Sequence, residues 1–421
     1  MKIMVIGSGG REHAIIKKLK QSKMVDEIYA LPGNGGISFD AVCVPIGATE
    51  LIKCRDFAVE NIIDLAVVAP DDPLVMGAVD LLSEAGITCF GPNKAAAIIE
   101  GSKAFSKQLM KKYNIPTAAY ETFSERDEAV SYLKSQSFPI VIKADGLALG
   151  KGVIIAENFE DAVKAVDMML CEGAFGDSGK KIVIEEFLTG NEVSVLAFTD
   201  GKTLVPMVSS MDHKRALDGD KGLNTGGMGT VAPNPYYTKE IADICMESIF
   251  MPTVNAMNSE GRSFKGCLYF GLMICADGVR VIEYNCRFGD PETQVVLPLL
   301  ESDLCDIMLK TAEGRLKKED VVFSDKSAAC VILASGGYPT AYKKGMPITI
   351  GNTDGATLYH AGTRIENGEL VTSGGRVMGV TAVADTLTDA LDIAYEKSDN
   401  IHFDGMFRRS DIGQRAKRAF K

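Results

Sequence analysis

The first hundred residues alternate between short apolar runs and amphipathic segments, and this alternation constrains the fold more than any other feature. The apolar runs are KIMVIG, EIYALP, AVCVPI, DLAVVAP and ITCFGP, and the segments between them include EHAIIKKLK, LIKCRDFAVEN and PLVMGAVDLLSEAG. Strands that alternate with helices in this way form a parallel sheet covered by helices on both faces. We therefore expect an α/β chain that begins with a parallel sheet.

Length and charge narrow the class of protein. A chain of 421 residues is too long for one core, and a typical domain of about 150 residues suggests roughly two to four units. Hydrophobic residues make up 46% and charged residues 24%, which is typical of a folded globular chain. The net charge of -11 argues against a nucleic-acid partner, which would require a basic surface.

The cysteines and histidines do not predict a metal or disulfide framework. None of the ten cysteines forms a C-x-x-C pair and most lie in apolar runs, so buried thiols are the simpler interpretation. The four histidines are scattered and do not pair at a zinc-binding spacing. The N-terminal apolar run turns to glycine after six residues, and no run of about 18 apolar residues follows. We expect a cytoplasmic protein with no membrane partner.

Three turns fall where the carboxyl ends of the parallel strands should lie. The first, GSGG at 7–10, opens a helix and could hold a phosphate on backbone N–H groups. A dinucleotide fingerprint would need a third glycine where Glu12 stands, and a carboxylate there opposes a pyrophosphate, so a nicotinamide or flavin site is disfavoured. The other two turns are PGNGG and APDDP, and all three could line one crevice at this edge of the sheet. The candidate substrate-binding residues of this crevice are Gly9, Gly10, Asn34 and Asp71. For the asparagine and the aspartate, ordinary turn chemistry is an equal alternative.

Two lysines and a glycine-rich stretch point to a phosphate ligand in the next part of the chain. Lys103 lies in the first turn of a predicted helix capped by Ser102, where the helix dipole disfavours a cation; it is either solvated or serves a negative ligand. Lys143 lies inside the apolar run FPIVIKA, where an unpaired lysine is costly. The glycines from 146 to 152 resemble a flexible flap over phosphates, although the Walker sequence is absent.

The stretch VIEYNCRFGDPETQ carries a carboxylate and an amide two residues apart. Glu283 and Asn285 share one face of a predicted strand, because side chains two apart point the same way. A hard cation such as Mg²⁺, held by one or two protein oxygens and by nucleotide phosphates, suits this pair. Arg287 continues the face as a clamp for an oxygen that gains charge. An edge strand with polar residues turned to solvent is the alternative interpretation.

The remaining sequence contains one long polar segment and a further group of strands. The segment from Met211 to Gly229 is rich in glycine and charge, which is typical of functional or disordered loops. From about residue 325 the runs AACVILASGG, ATLYHAG and RVMGVTAVA predict strands, followed by an amphipathic helix at 387–399.

These blocks together resemble the ATP-grasp family. GSGGREHA, PGNGG, GSKAFSKQLM, VIKADGLALGKGV, IEEFLTGNEVSV, NTGGMG, EYNCRFGDPETQ and ASGGYPTAYKKG follow the order found in the branch of that family that joins glycine to 5-phosphoribosylamine. The resemblance covers almost the whole chain. It implies an α/β (α+β) ATP-grasp fold with a Rossmann-like N-terminal domain at 1–101. It also implies a two-lobed ATP-grasp core at 102–325, in which 117–187 is a mobile lid. A small, mainly β C-terminal domain would follow at 326–421.

The resemblance also implies an activity. ATP would drive ligation of glycine to 5-phospho-D-ribosylamine through glycyl phosphate, giving glycinamide ribonucleotide, ADP and phosphate in the second step of de novo purine biosynthesis. The implied partners are these small molecules, with ATP and Mg²⁺ or Mn²⁺ as cofactors, and we expect a monomer. No residue need be a covalent nucleophile, since phosphoryl transfer is catalysed by positioning and by cations.

Site residues follow from the resemblance by position. The ATP-binding set would be Lys103, Lys143, Gly150, Lys151, Glu185, Glu186, Phe187, Leu188 and Glu192. Within it Glu185 and the backbone of Phe187 and Leu188 would face adenine, and Glu192 the ribose hydroxyls. Glu283 and Asn285 would hold the metal ion. The residues around glycine and its activated form would be Asp212, Lys214, Asn224 and Arg287.

The sequence departs from the family pattern at three places. CLYFGLMICA contains no acidic residue, so metal binding would rest on fewer ligands. Asp71 and Asp72 stand where a glutamate is usual, which shortens the reach toward the sugar phosphate, and Leu223 replaces a usual proline.

Two rival interpretations remain. Another ATP-grasp ligase would share Lys143 and Glu283, but GSGGREHA and NTGGMG argue against it. A non-catalytic nucleotide-binding sensor would not need Arg287 beside the metal pair.

Overall fold

The computed structural model describes residues 1–148 and 152–419, and it begins with the parallel sheet that the alternation predicts. The strands are β1 (Lys2–Gly7), β2 (Glu27–Pro32), β3 (Val42–Cys43), β4 (Leu65–Val68) and β5 (Thr88–Phe90), and they pair in parallel in the order β3-β2-β1-β4-β5. In β1, Ile3 and Val5 enter one hydrophobic core while Met4 and Ile6 enter another. The strand is therefore apolar throughout because both faces of the sheet are covered.

Helices follow β1, β3, β4 and β5 of this sheet. They are α1 (Gly10–Leu19), α2 (Leu51–Glu60), α3 (Asp71–Met76), α4 (Ala78–Glu84) and α5 (Lys94–Gly101). The run PLVMGAVDLLSEAG reads as one helix, but Gly77 has a φ of +98° and divides it into α3 and α4. A left-handed residue ends a helix, and glycine adopts that conformation without strain.

A second, antiparallel sheet follows α6 (Lys103–Lys112). Its strands are β6 (Tyr120–Phe123), β7 (Ile140–Ala144), β8 (Val153–Ala156) and β9 (Ile182–Glu186), in the order β6-β9-β7-β8. Two helices, α7 (Arg126–Leu133) and α8 (Phe159–Val166), pack on it and form a hydrophobic core of their own with Ile142 and Ile184. We call this unit the β6–β9 sheet.

The central sheet carries the predicted metal-binding strand. It consists of β10 (Asn191–Thr199), β11 (Leu204–Pro206), β16 (Gly266–Cys275) and β17 (Gly278–Asn285), in the order β11-β10-β16-β17. Glu283 lies opposite Gly271, next to a register shift in the β16–β17 ladder. The flanking helices are α9 (Lys239–Cys245), α10 (Met251–Ser259), α11 (Thr293–Leu299) and α12 (Leu304–Glu313).

The segment from Met211 to Gly229, expected to be a loop, contains regular structure. A short β12 (Met211–Asp212) leads into a hairpin of β13 (Arg215–Leu217) and β14 (Lys221–Asn224), and β15 (Gly229–Ala232) follows. Gly219 and Asp220 at the hairpin turn have φ values of +70° and +54°, which allow a tight reversal.

The last sheet joins the middle of the chain to its end. Its strands are β12, β15, β18 (Ser327–Ser335), β23 (Arg376–Ala384) and β20 (Thr357–His360) in that order, with β25 (Met406–Phe407) paired to β18. The short pairs are β19 (Thr349–Ile350) with β24 (Ile401–His402) and β21 (Thr363–Glu366) with β22 (Glu369–Thr372); the helices are α13 (Leu387–Ser398) and α14 (Gln414–Ala419). This sheet therefore draws strands from both sides of the expected boundary at 325.

The structure bears on two expectations drawn from composition. All ten cysteines are free thiols, and Cys171 is the exposed one. Among the residues described, no helix has both the length and the hydrophobicity needed to cross a membrane.

Candidate active site

The turn after β1 is closed by its own glutamate. Glu12 is buried, and its Oε2 accepts a hydrogen bond from the Gly9 N–H at 2.5 Å while Arg11 Nε donates to Oε1 at 2.7 Å. A side chain at Gly7 or Gly9 would collide with this carboxylate. Glu12 thus occupies the end of α1 that a pyrophosphate would need.

The other N-terminal candidates lie in different surroundings. A side chain at Gly10 would meet Gln294 Nε2 at 2.5 Å, so the turn is pressed against the segment that follows β17. Asp71 opens α3, and its Oδ2 lies 4.0 Å from Arg287 Nη2. Burial would raise the pKa of Asp71, but Arg287 and Arg11 outweigh it and lower the pKa. Asp71 is therefore held in its charged form at the edge of the candidate site.

Asn34 uses its whole side-chain amide within the protein. Its Nδ2 donates to the carbonyls of Ser8 and His360, both at 2.8 Å, and its Oδ1 accepts from the N–H groups of Gly36 and Ile37 at 2.9 Å. The residue ties the first turn to β20. Its predicted role in substrate binding stays a prediction.

Two lysines share one buried carboxylate on the β6–β9 sheet. Glu185 on β9 forms ion pairs with Lys143 on β7 and Lys107 on α6, and all three side chains are at most 4% exposed. Burial would raise the pKa of Glu185, but the two ammonium groups outweigh it and hold the pKa below its usual range. We call these three residues the lysine cluster. It satisfies the expectation that a lysine in a strand core must be paired.

Lys143 also reaches the central sheet, and Lys103 lies beside it. Lys143 Nζ donates to the Ile282 carbonyl at 3.2 Å, and Lys103 Nζ donates to the Gly146 carbonyl at 2.9 Å. Burial lowers the pKa of Lys103, and Glu283 opposes that shift. The predicted ATP residues Lys103 and Lys143 are therefore neighbours of the predicted metal ligand.

The remaining predicted ATP residues lie at the end of β9, after it, or outside the residues that the structure describes. Phe187 and Leu188 are half-buried after the end of β9, and Glu186 lies 3.5 Å from Arg280 at the surface. Glu192 on β10 pairs with Lys214. Gly150 and Lys151 lie outside the described residues.

Asn285, at the end of β17, and Arg287 are in contact, and Glu283 precedes Asn285 on the same strand. Arg287 Nη2 donates to Asn285 Oδ1 at 3.1 Å and to Glu100 Oε1 at 2.8 Å. The second Glu100 oxygen accepts from the Cys286 N–H at 2.7 Å, so Glu100 fixes both the arginine and the backbone beside it. Glu283 keeps 32% of its side chain exposed, 3.7 Å from Lys214.

Opposite charges meet at Glu283. Burial would raise its pKa, but Lys214, Lys143, Lys103 and Arg287 together lower it. The carboxylate is therefore charged and supplies, with the Asn285 amide, the hard oxygen donors that Mg²⁺ or Mn²⁺ accepts. In the described part of the chain no group of three or more His, Cys, Asp or Glu side chains could hold a metal. A divalent ion here would have two protein ligands, which fits an ion that a nucleotide helps to hold.

The 211–229 segment and the stretch that follows β17 form one side of the candidate site, which we call the loop side. This side carries further carboxyl groups. Burial, reinforced by Glu292, raises the pKa of Asp212 well above its usual range. Burial likewise raises the pKa of Glu292, which accepts from the Tyr269 hydroxyl at 3.1 Å. A side chain at Gly227 would lie 2.6 Å from Asp212 Oδ1, so only glycine leaves room there. Asn224, at the end of β14, pairs with Arg215, the residue after Lys214.

One arginine of the last sheet ties this loop in place. Arg376 Nη1 donates to the carbonyls of Gly226 and Asp290, both at 2.7 Å, and its Nη2 lies 3.3 Å from Asp290 Oδ2. The NTGGMG segment is thus anchored to the stretch that follows β17.

The structure adds four residues that the sequence interpretation missed: Lys107, Glu100, Glu292 and Arg376. Lys107 lies one helical turn after Lys103, and Glu292 lies in the VIEYNCRFGDPETQ stretch, so both could have been found. Glu100 and Arg376 contact the site from distant parts of the chain, and nothing in the local sequence marks them.

Comparison with known proteins agrees with this geometry. Family models match residues 1–100, 101–293 and 328–415, described as the N, ATP-grasp (A) and C domains of phosphoribosylglycinamide synthetase. The β6–β9 sheet facing the central sheet across the lysines and Glu283 defines an ATP-grasp enzyme. Within that class, the chain belongs to the phosphoribosylglycinamide synthetase family.

Individual relatives show the same likeness. The phosphoribosylamine–glycine ligase of Caldanaerobacter subterraneus subsp. tengcongensis is 48% identical over 413 residues, which are 98% of this chain and 99% of that protein. The crystal structure of phosphoribosylamine–glycine ligase from Thermotoga maritima superposes with a TM-score of 0.85 at 35% identity and covers 98% of this chain and all of that one. A biotin carboxylase domain from Hydrogenobacter thermophilus, solved with MgADP, has a TM-score of 0.75 over 100% of this chain and 98% of that one. At 16% identity it supports the fold alone.

Proposed function

We propose that this protein ligates glycine to 5-phospho-D-ribosylamine at the expense of ATP, giving glycinamide ribonucleotide, ADP and phosphate, as the second step of de novo purine biosynthesis. The observation that carries the proposal is the position of Glu283, whose charge is stabilised by lysines from the β6–β9 side and by Lys214 and Arg287 from the loop side. Glu283 therefore lies between the cations proposed to bind the ATP phosphates and the residues proposed to surround glycine.

The chemistry starts with a carboxylate that is inert toward amines. The glycine carboxylate attacks the γ-phosphorus of ATP, ADP leaves, and glycyl phosphate forms. Lys103 and Lys143 neutralise the phosphates, and Arg287 faces the oxygen that gains charge. A Mg²⁺ or Mn²⁺ ion on Glu283 and Asn285 would supply further neutralisation of phosphate charge.

The second half-reaction uses the loop side. The amine of phosphoribosylamine attacks the glycyl carbonyl carbon, the amine loses a proton, and phosphate departs with the electron pair of the broken C–O bond. Asp212, Lys214 and Asn224 would surround the glycyl group, and Gly9, Gly10 and Asp71 would face the phosphoribosyl group. The adenine would contact the residues from Glu185 to Leu188, with Glu192 on the ribose and Gly150 and Lys151 over the phosphates.

We also propose how the chain divides. The boundaries are 1–101, 102–325 and 326–421, and the segment 117–187 moves as a lid. The separate hydrophobic core of the β6–β9 sheet supports the lid, because such a unit can move without exposing its own core. We further propose a cytoplasmic monomer.

One assay tests the function. ADP release is followed with glycine and freshly generated phosphoribosylamine, and each substrate is omitted in turn. We expect release that requires both. Another ATP-grasp ligase would release ADP only with a different carboxylate or amine, and a nucleotide sensor would bind ATP without turnover.

A further inference from the structure

We propose that the segment Arg409–Asp411 positions the proposed glycine site, because it holds the β13–β14 hairpin and therefore Lys214 and Asn224 in place. We call this segment the C-terminal clamp. That glycine binds here rests on the proposed function, and the positioning role rests on the contacts of the clamp with the hairpin.

Three consecutive residues of the clamp form hydrogen bonds with the turn of the hairpin. Arg409 Nη1 donates to Asp220 Oδ1 and to the Arg215 carbonyl, each at 3.0 Å. The backbone N–H of Ser410 donates to Asp218 Oδ1 at 2.8 Å, and its hydroxyl donates to Oδ2 at 2.5 Å. Asp411 Oδ2 accepts from the Gly219 N–H at 2.8 Å.

Arg409 is built for this role. Only 2% of its side chain is exposed, and its Nε and Nη2 donate to the two oxygens of Asp411 at 2.7 and 2.8 Å. A guanidinium presents donors in a fixed fork, so one side chain can serve Asp411, Asp220 and a carbonyl at once. A lysine at this position could not reproduce that geometry.

The base of the hairpin is held by the same region. The N–H of Gly413 donates to His213 Nε2 at 3.1 Å, one residue before Lys214. The Thr225 N–H and hydroxyl both donate to the Lys214 carbonyl at 2.8 Å. Lys214 then pairs with Glu192 and lies 3.7 Å from Glu283. A chain of direct contacts therefore leads from the clamp to the predicted metal ligand.

The hairpin has few other means of staying in place. It is a two-stranded ladder with two registered residue pairs, and its side chains Leu217 and Leu223 are 53% and 56% exposed. An isolated two-stranded hairpin is marginally stable in water, so its conformation depends on contacts from outside. The clamp supplies them from residues about 190 positions further along the chain.

The test compares variants of the clamp with a neighbouring arginine. Arg409→Lys and Arg409→Ala remove the fork, and Asp218→Ala removes the Ser410 contacts from the exposed hairpin side. Arg408→Ala is the matched control, since Arg408 bonds to Asp399 and the Tyr395 carbonyl instead. Glycine KM, kcat, ADP affinity and hydrogen exchange of the 214–227 amides are measured for each.

Misplaced reacting groups cost on the order of 10²-fold in rate. We expect kcat over glycine KM to fall roughly that far in Arg409→Ala and by about tenfold in Arg409→Lys and Asp218→Ala, with faster exchange at 214–227 and ADP affinity within about threefold of wild type. If Arg409→Ala does not fold, the two milder variants decide. Variants that match Arg408→Ala in glycine kinetics and in exchange would overturn the inference. A wild-type protein that makes no product would instead overturn the proposed function, and the exchange data would still show whether the clamp orders the hairpin.

Discussion

Compared with the lysine cluster, the loop side of the candidate site has the opposite balance of charge. On the lysine side, Lys107 and Lys143 share the carboxylate of Glu185, and the charge of Lys103 acts on Lys143 and Glu283 nearby. On the loop side, the carboxylates of Glu192 and Glu283 face the single cation of Lys214, and the carboxyl groups of Asp212 and Glu292, whose pKa values burial raises, lie beside them. The lysine cluster is buried, so its charges are weakly screened, whereas Lys214, Glu192 and Glu283 on the loop side are each about a third exposed to solvent.

The difference matches the two kinds of substrate that a carboxylate–amine ligase must bring together. A nucleotide polyphosphate is a strong anion and needs cations, whereas glycine carries an ammonium group that a carboxylate can bind. Glu283 lies where the two sides meet. The comparison therefore predicts that substitutions on each side change the binding of different substrates.

The largest effect is expected at the meeting point. Glu283→Gln keeps the shape of the side chain but removes the negative charge that would hold a metal ion and that attracts Lys214, Lys143 and Lys103. We expect turnover to fall on the order of 10²-fold or more and the metal requirement to rise. The measurement is turnover as a function of Mg²⁺ and Mn²⁺ concentration, with Asp277→Asn, at the exposed end of the same β16–β17 hairpin, as the control. Wild-type metal titration and turnover in the Glu283 variant would show that the metal pair is misassigned.

A smaller effect is expected on the lysine side. Lys143→Met retains the bulk of the side chain and removes one charge-assisted contact, worth about 1.5–3 kcal/mol, which corresponds to roughly tenfold to a hundredfold weaker ATP binding. Glycine KM should change much less. ATP and glycine KM values are measured beside Lys111→Met, an exposed lysine of α6. Unaltered ATP affinity and activity would remove Lys143 from the nucleotide site.

The reciprocal substitution lies on the loop side. Asp212→Asn replaces a carboxyl group, which the ammonium group of glycine would ionise, by an amide that cannot ionise, and it should raise glycine KM about tenfold while ATP KM stays within about twofold. Kinetics with each substrate varied in turn decide the matter, and Lys143→Met serves as the opposite control. A variant in which ATP KM rises as much as glycine KM would contradict the division of the site into two sides.

The smallest effect on turnover, but a clear one on stability, is expected at His213. Burial lowers the pKa of His213 to about 4, so the folded protein keeps it neutral. Its contribution to the free energy of unfolding is complete above the unfolded pKa of about 6.5 and is lost as the pH falls from there toward 4. Between pH 7 and pH 5 the loss is about 2 kcal/mol. His213→Gln should remove that part of the pH dependence in denaturant unfolding, and an identical pH profile in both proteins would show that the pKa of His213 is the same in the folded and unfolded states.

The sequence predicted the features that local patterns encode. The apolar run of β1 reports a strand covered on both faces, and the two-residue spacing of Glu283 and Asn285 reports a shared strand face. The hairpin within 211–229 was not predicted, because its polar sequence has no apolar period and its contacts come from the C-terminal clamp. Long-range partners such as Glu100 and Arg376 escape for the same reason. The sheet that unites β12 and β15 with β18 likewise depends on pairing between distant segments.

We propose that glycine is activated as an acyl phosphate between the lysine side and the loop side. Glycine labelled with ¹⁸O in its carboxylate tests it directly, because the oxygen that bridges carbon and phosphorus in glycyl phosphate leaves with the phosphate. If glycyl phosphate forms, each phosphate released with glycinamide ribonucleotide carries one labelled oxygen. Product that forms with unlabelled phosphate would exclude an acyl phosphate intermediate, even if the substrates proved to be those proposed.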